Sequence, residues 1–420
     1  MNFEIRTRVG QIFILWLLWM VPMRPQPLLA GDWPQILGPN RNGVAEGERL
    51  RRDWGNDTPD ELWQRDVGEG LAGVAVAKGR VIVFHRPGDE QVVEALSVDS
   101  GKILWKHQWP THYQSRISTD SGPRCVPLVH QDAVYVHSAE GHLVCLGLAD
   151  GKLRWQRNTA MDFGVLEGYF GVGSTPIVAA NLLLLNVGGR GEGGIVAFTL
   201  DEGKTVWQVG DERASYSSPT LAQLDGVQHA LFVTRYNFIA IEPESGNVRF
   251  RIPFGQRGPT VNGATPVVMD KHVFLSASYG IGARWLETSA DGANVEWSRD
   301  DLMSSQYCTS VRQNGTLYGI DGRQDGAPGN LRAFDPALGK LHWSEERFGM
   351  ATLIRAEDTL LVMKTDGQLV LVDATPDQYH EFARWQLLNG TTRALPALSE
   401  GRLYVRNENR LECFDLRGRK

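Results

Sequence analysis

The stretch VCLGLADGKLRW (residues 144–155) runs from an apolar segment through a small polar turn to a glycine, a lysine and a tryptophan. Such a turn, with glycine at a positive backbone φ between two alternating segments, is typical of a β-hairpin. The large aromatic at its end is suited to filling the space between two twisted sheets. The stretch therefore predicts two antiparallel strands, the second of which carries an indole inward.

The same pattern recurs along the chain, so the hairpin is one copy of a repeat. The fifth copy has one extra residue between Gly292 and Trp297, and the seventh lacks the glycine. The spacing of the terminal aromatics, roughly 42–52 residues, is that expected for propeller blades. The seven copies end at Trp105, Trp155, Trp207, Phe250, Trp297, Trp343 and Trp385.

A second pair of apolar strands precedes each hairpin, as in ATPVVMDKHVFLSA (264–277). One period therefore contains four antiparallel strands, here called A to D, which is the composition of a propeller blade. The segment DELWQRD (60–66) looks like a strand D without its own A to C, and RLECFDL (410–416) is a last strand without a D. We expect these two segments to share one blade.

The predicted fold is therefore all-β: an eight-bladed β-propeller of four-stranded antiparallel blades, closed by pairing of the N- and C-terminal strands. It forms a single domain over residues 60–416. Closure removes the sheet edges that an open row of blades would expose. Residues 31–59 contain Trp33, Pro34, Pro39 and Gly43, and we expect them to form an ordered, non-helical segment packed on the propeller.

The first 30 residues have the parts of a secretory signal peptide. Arg6 and Arg8 precede the apolar segment QIFILWLLWMV, and small residues follow up to Ala30. We expect cleavage near Ala30 and export to the periplasm or the medium, without stable membrane insertion, since the apolar core is short for a bilayer. An uncleaved anchor is the alternative. The formal net charge of −6 argues against nucleic acid as a partner, and a monomer is expected.

The four cysteines are separated from one another in the sequence and lie in or beside apolar runs. No C-x-x-C-H stretch is present, which argues against a c-type haem site. We expect free, buried thiols rather than disulfides, because a chain of this length does not need disulfide staples. The cysteines are Cys125, Cys145, Cys308 and Cys413.

The D-x-x-G-K-x-x-W hairpins resemble the PQQ-like repeat of eight-bladed propellers. That superfamily includes quinoprotein alcohol dehydrogenases and the outer-membrane protein assembly factor BamB with its non-enzymatic relatives. The opening DWPQILGPNRNG (32–43), together with SGPRCVPLV (121–129) and GYFGVGSTPIV (168–178), is similar to secreted members from planctomycete-type bacteria. The resemblance implies the fold over about residues 60–416, whereas the repeated residues build blades and do not define a site.

Binding residues are expected where the D-to-A and B-to-C loops meet at one mouth of the central channel. Several of these loops are long, including those after Trp105 and Trp155 and the segments 188–194, 278–285 and 321–330. The alternative is that their polar residues only hold the loops to one another. The candidate ligand-binding residues are Arg116, Arg124, Glu167, Tyr169, Tyr216, Arg235, Asn262, Tyr279, Tyr307, Asp321 and Arg393, with Tyr113, Arg284 and Gln306 nearby.

No catalytic residue and no metal site is predicted. The sequence has no H-E-x-x-H and no G-x-S-x-G stretch. Quinoprotein dehydrogenases use a vicinal cysteine pair, which is absent here, and a calcium ion held by Glu, Asn and Asp. Glu167, Asn262 and Asp321 are of those types, but nothing in their spacing selects them.

The favoured function is therefore an exported binding or scaffold module that takes a protein segment or an extracellular polymer at its mouth. A partner strand pairing with an outer strand D is a further way of binding. One alternative is a PQQ-dependent alcohol or sugar dehydrogenase with PQQ and calcium. Another is a polysaccharide-binding propeller, for which the available loop aromatics are Trp109, Tyr113, Tyr169 and Trp285.

Overall fold

The computed structural model describes residues 31–165, 170–258 and 260–417, and nearly all regular structure within them is β-sheet. The predicted signal peptide lies outside the described residues. Two strands precede the first complete blade, β1 (Val44–Ala45) and β2 (Asp60–Asp66). One short helix, α1 (Thr159–Phe163), lies in the connection between the second and third blades.

The described residues form eight sheets, each of which contains four antiparallel strands. Blade 1 contains β3 (Ala75–Ala77), β4 (Arg80–His85), β5 (Glu90–Ser97) and β6 (Ile103–Pro110). Blade 2 contains β7 (Leu128–His130), β8 (Ala133–His137), β9 (His142–Gly147) and β10 (Leu153–Asn158). Blade 3 contains β11 (Ile177–Ala179), β12 (Leu182–Asn186), β13 (Ile195–Thr199) and β14 (Thr205–Val209). Blade 4 contains β15 (Thr220–Leu224), β16 (Val227–Val233), β17 (Asn237–Ile241) and β18 (Val248–Pro253).

The second half of the ring repeats this arrangement. Blade 5 contains β19 (Val267–Met269), β20 (His272–Ala277), β21 (Gly282–Thr288) and β22 (Ala293–Arg299). Blade 6 contains β23 (Val311–Gln313), β24 (Thr316–Asp321), β25 (Asn330–Asp335) and β26 (Lys340–Glu345). Blade 7 contains β27 (Ala351–Ala356), β28 (Thr359–Lys364), β29 (Gln368–Asp373) and β30 (Glu381–Gln386). Blade 8 contains β31 (Ala397–Ser399), β32 (Arg402–Arg406) and β33 (Arg410–Asp415).

Blade 8 takes its fourth strand from the other end of the chain. Strand β2 pairs antiparallel with β33, so that Glu61 lies opposite Phe414 and Trp63 lies opposite Cys413. The predicted fold class, an eight-bladed propeller closed by its two terminal strands, is therefore confirmed.

The glycine of the repeated hairpin is required by both its backbone and its neighbour. Gly151 has φ 67°, and a Cβ atom at this position would lie 2.4 Å from Cε3 of Trp105 in the preceding blade. The glycine thus gives the turn its left-handed residue and leaves room for the indole. Gly292 is an exception, since it does not have a positive φ; the extra residue of the fifth copy changes this turn.

Each indole also fastens its blade to the following one. Nε1 of Trp105 donates to the carbonyl of Leu148, at 2.9 Å, and this carbonyl belongs to the turn that contains Gly151. The same bond recurs around the ring at 2.8 to 3.0 Å, so the indole provides a polar link as well as apolar bulk. The other pairs are Trp63 with Val98, Trp155 with Leu200, Trp207 with Pro243, Trp297 with Pro336, Trp343 with Thr375, and Trp385 with Asp57.

The contact between blades 4 and 5 is built differently, because the side chain of Phe250 has no N–H group. There Nε2 of His229, a buried residue of strand B, lies 2.8 Å from the carbonyl of Ala290. The backbone N–H of Ala290 in turn donates to Asp225, at 3.0 Å. An imidazole from the second strand therefore joins these blades where an indole from the fourth strand joins the others.

A β-bulge turns each aromatic inward. In seven of the eight sheets, the C–D pairing register shifts by one residue immediately before the aromatic, as between Leu153 and Trp155. In blade 7 the shift falls earlier, between Glu381 and Ala383. Because a bulge reverses the alternation of side chains, it leaves apolar residues such as Ile103 and Leu104 exposed on the outer strand.

Residues 31–57 run across the face that carries the A–B and C–D turns, here called the turn face. Trp33 forms a bridge with Val76 of blade 1, and β1 pairs in parallel with β27 of blade 7. The Glu48 carboxylate accepts two bonds of 2.6 Å from the backbone N–H groups of Glu400 and Gly401 in blade 8. The segment thus connects the blades on both sides of the closure.

Arg41 of this segment is buried in the ring. Its guanidinium donates to the carbonyls of Thr175, Pro176 and Pro219, which precede strand A in blades 3 and 4. Burial lowers the pKa of Arg41 to about 9, so the group keeps its proton at neutral pH. The N-terminal segment is therefore anchored inside the channel as well as on its rim.

All four cysteines are buried and free, as the sequence predicted. Burial raises the pKa of Cys125 to about 11 and that of Cys308 to about 12, so these thiols stay protonated and behave as small apolar groups. No helix within the described ranges has the length and apolar character needed to cross a bilayer.

We expect the substitution Trp105→Phe to destabilise the ring more than Trp285→Phe. Both changes replace a buried indole by the smaller phenyl group, but only the first leaves a carbonyl, that of Leu148, without its donor. Nε1 of Trp285 has no hydrogen-bond partner among the described residues. An unpaired buried carbonyl costs about 1–3 kcal/mol, so the free energy of unfolding from urea titration should differ between the two variants by about that amount. Equal losses would show that the indole acts only through its bulk.

Candidate functional site

The long connections gather on the face opposite the turn face, here called the loop face. In an antiparallel blade the B–C and D–A connections leave from the same end of the sheet. These connections include residues 111–127, 187–194, 254–266, 300–310 and 322–329. The predicted B–C loop at 278–285 is shorter than expected, because strand β21 already begins at Gly282.

One repeated position lines the centre of the loop face. It is the residue four places before the first residue of strand A, and in seven of the eight blades this residue borders a single cavity of about 160 Å³ on the ring axis. In blade 7, strand A (Ala351–Ala356) is longer towards its start, and the residue at the same distance from the A–B turn is Met350, which is buried and not part of the lining. The seven residues are Leu71, Arg124, Gly173, Tyr216, Gly263, Tyr307 and Arg393.

This cavity, here called the channel cavity, is closed towards the turn face by the N-terminal segment, which contributes Ile36. Five of the candidate residues meet in it: Arg124, Tyr216, Gln306, Tyr307 and Arg393. The sequence prediction missed the apolar part of the lining. A motif in the sequence marks the repeated lining position. This residue stands just before the S-T-P, S-S-P and A-T-P stretches that begin at 174, 217 and 264. The remaining lining residues are Phe170, Val261 and Leu395.

The guanidinium of Arg124 is fixed by hydrogen bonds to its own loop. Its Nη1 lies 3.2 Å from Oδ1 of Asp120, its Nη2 donates to the Asp120 carbonyl at 2.6 Å, and a further bond reaches the carbonyl of Gly122. Burial, and to a smaller extent the like charge of Arg393, lowers the pKa of Arg124, while Asp120 opposes that shift. The two guanidinium groups therefore share one small space.

The two tyrosines complete the polar part of the lining. Tyr216 accepts a bond from the backbone N–H of Phe170 at 2.9 Å, and Tyr307 donates to Oε1 of Gln324 at 2.9 Å. Burial raises the pKa of each phenol to about 12, so both stay neutral at physiological pH. The Arg393 guanidinium lies 5.7 Å from the centre of the Tyr307 ring, a cation–π distance.

A second recess, here called the polar cleft, lies on the loop face between blades 4, 5 and 6 and has a volume of about 580 Å³. Two predicted residues, Tyr279 and Asp321, belong to it. Asp321 accepts from the Ser304 N–H at 2.7 Å and pairs with Arg332 at 3.1 Å; burial raises its pKa and Arg332 opposes the rise. The other lining residues are Gln256, Arg257, Thr260, Ser278, Gly280, Asp300, Ser304, Gly322 and Arg323.

Tyr279 is fixed at the edge of the polar cleft. Its hydroxyl accepts from Nε2 of Gln306 at 2.6 Å, and the Arg323 guanidinium lies 5.0 Å from its ring centre. The side-chain carbonyl of Gln306 accepts from the N–H of Gln324 at 2.8 Å. Because Gln306 borders the channel cavity as well, it connects the walls of the two recesses.

Other predicted residues hold loops together. Arg235 donates to the carbonyls of Gly258 and Thr260, and Asn262 donates to the carbonyls of Thr234 and Arg235 at 3.4 and 3.3 Å. Arg284 stacks on Phe254 and donates to Pro253. Arg116 lies exposed on the loop 111–127.

The aromatics that we considered for stacking sugars are placed differently from the prediction. Trp285 lies inside strand β21, where it is buried and stacks on His272. Tyr113 is buried as well, and Trp109 is half-buried at the end of strand β6. Three of the four expected loop aromatics therefore pack inward. The fourth, Tyr169, and the candidate Glu167 lie outside the described residues.

The described lining does not fit PQQ with calcium. Among the described residues, two arginines and no carboxylate border the channel cavity, a lining that repels a divalent cation. Its volume is close to that of a cavity that accepts a single benzene ring, whereas PQQ has three fused rings. Asp321 lies in the polar cleft and Asn262 borders neither recess. Within the described part of the chain, no three His, Cys, Asp or Glu residues gather as a metal site.

Solved structures with the same architecture include both branches of the superfamily named above. BamB from Moraxella catarrhalis superposes with a TM-score of 0.62 at 14% identity, covering 86% of this chain and 99% of that protein. The quinohemoprotein alcohol dehydrogenase from Comamonas testosteroni gives a TM-score of 0.65 at 14% identity, covering 93% and 81%. At these identities the similarity shows the fold alone.

Over most of this chain, sequence similarity is to the BamB branch. The outer membrane protein assembly factor BamB of Yersinia pestis is 23% identical over 382 residues, which are 84% of this chain and 86% of the relative. A 1-butanol dehydrogenase (cytochrome c) of Thauera butanivorans is 32% identical, but over 115 residues, or 25% of this chain. The family model "Outer membrane protein assembly factor BamB" matches residues 40–222 and 191–419, and the chain therefore belongs to the BamB family of propellers.

Proposed function

We propose that this protein is an exported scaffold without catalytic activity, and that a segment of a partner protein binds to its loop face. The observation that carries the proposal is that one face of the ring is covered and the other is open. Residues 31–57 occupy the turn face, and both recesses that contain predicted binding residues open among the loops of the other face.

The polar cleft has the chemistry of a peptide-binding surface. Arg257 and Asp300 are exposed at its rim and carry opposite charges. Ser278 and Ser304 lie deeper and are bonded to backbone carbonyls. Donors, acceptors and both charges in an open recess suit a polar, extended segment, whose backbone groups all need partners.

The family membership supports a role in an assembly. The Yersinia pestis relative is named as an outer membrane protein assembly factor, and a rigid ring with one open face can present a fixed binding surface to another protein. The charged, apolar and small-residue parts of residues 1–30 support export, since they have the order of a secretory signal.

Photo-crosslinking tests the binding face. We expect p-benzoylphenylalanine at position 257, in the polar cleft, to give a crosslinked polypeptide in the native host. The matched control is the same residue at position 206, where Val206 is exposed on the outer strand of blade 3. A product from position 206 and none from position 257 would place the partner on the rim. The absence of any polypeptide product would contradict the protein partner and favour a polymer.

Cell fractionation tests export. We expect the mature protein in the periplasm or the medium, with an N-terminus at Gly31 that mass spectrometry or N-terminal sequencing detects. A cytosolic marker enzyme is the control. Recovery of the full-length chain in the cytoplasm would contradict this part of the proposal.

Reconstitution tests the lack of catalysis. We expect that PQQ and calcium added to the purified protein leave the cofactor spectrum unchanged and give no dye-linked oxidation of alcohols or sugars. The reason is the positive, single-ring-sized channel cavity. Saturable cofactor binding with substrate-dependent dye reduction would show that the protein is a dehydrogenase.

A further inference from the structure

The channel cavity contains more positive charge than its surroundings balance. Arg124 and Arg393 enter it from blades 2 and 8, and Nε of each guanidinium is buried without a hydrogen-bond partner among the described residues. Asp120 pairs with Arg124 at 3.2 Å. No described carboxylate lies within ion-pair distance of Arg393, whose guanidinium lies against the ring of Tyr307.

The other lining residues that the structure describes add no negative charge. Tyr216 and Tyr307 are neutral phenols, and Ile36, Leu71 and Leu395 provide an apolar wall. Arg393 is half-buried, and a cation that gives up water without gaining a counter-ion is costly. An anion that brings its own apolar surface would satisfy both parts of this lining.

The size of the cavity limits such a ligand. About 160 Å³ is close to the volume of an engineered cavity that binds benzene. One six-membered ring or a short branched chain can therefore enter, with its charged end at the arginines. A planar carboxylate matches the fork of a guanidinium in a bidentate geometry, and it can be carried by a small apolar group.

We propose that the channel cavity binds a carboxylate attached to a small apolar group. The proposal goes beyond the scaffold function, because the site lies on the ring axis and not in the polar cleft. Two sources share this chemistry: a free aromatic or branched-chain acid, and the C-terminal residue of a polypeptide that enters from the loop face.

The probe is 4-fluorobenzoate, whose binding to the full-length mature protein is followed by fluorine NMR. We expect saturable binding, and no comparable binding of 4-fluorobenzamide, which has the same shape without the charge. A charge-assisted hydrogen bond contributes about 1.5–3 kcal/mol. The variant Arg393→Gln should therefore bind the acid about 10- to 100-fold more weakly.

Arg347→Gln is the matched control, because Arg347 also lies in a D–A connection of the loop face but does not border the cavity. We expect its affinity for the acid to equal that of the unchanged protein. Thermal melting establishes that both variants are folded. Should Arg393→Gln not fold, the preference of the unchanged protein for the acid over the amide decides the question by itself.

A competition experiment separates the two sources. Displacement of 4-fluorobenzoate by the tripeptide Gly-Gly-Leu, but not by its C-terminal amide, would identify a polypeptide terminus; failure of the tripeptide to compete would identify a free acid. The proposal is overturned if 4-fluorobenzoate does not bind, or if 4-fluorobenzoate and 4-fluorobenzamide bind with equal affinity. It is also overturned if Arg393→Gln and Arg347→Gln bind the acid with equal affinity. The assay contains no partner protein, so its result is independent of the crosslinking experiment.

Discussion

The hydrogen bond from an indole N–H to a carbonyl of the following blade is the interaction on which the ring depends. Apolar packing alone is non-directional and would allow neighbouring sheets to slide. The bond from Trp105 to Leu148 fixes both the distance between the two sheets and their relative position along the strands. Its repetition around the ring converts eight weakly connected sheets into one rigid frame, and every loop on the loop face inherits its position from that frame.

The sequence predicted this frame because its signals are local and repeated. The spacing of Trp155 and its equivalents gave the blades, and the isolated strands at 60–66 and 410–416 gave the closure. The bulges were not predicted, because a regular strand was assumed up to each aromatic. The role of His229 was not predicted either, since the imidazole that replaces the missing N–H of Phe250 lies on a different strand, and nothing in the repeat connects the two positions.

The candidate site could be predicted only in part, for a physical reason. Long loops identified the face that carries both recesses, and Arg124, Tyr216, Tyr307 and Arg393 line one cavity there. Arg235 and Asn262 belong to the loops of the same face, where they donate to loop carbonyls and line neither recess. Loop length does not tell which side chain points to the axis. The position four residues before strand A identifies these side chains in seven of the eight blades.

The path of residues 31–66 has a consequence for how the protein is made. Strand β2 pairs with β33, so the first strand of the ring stays without its neighbour until the last one has been synthesised. Closing so long a loop is slow, because its entropic cost precedes any gain from the contacts. Anchoring of Arg41 and β1 to blades 3, 4 and 7 shortens the search, since it brings the waiting strand close to the place where its partner arrives. The segment on the turn face thus acts during biogenesis as a guide that holds the beginning of the chain ready for its end.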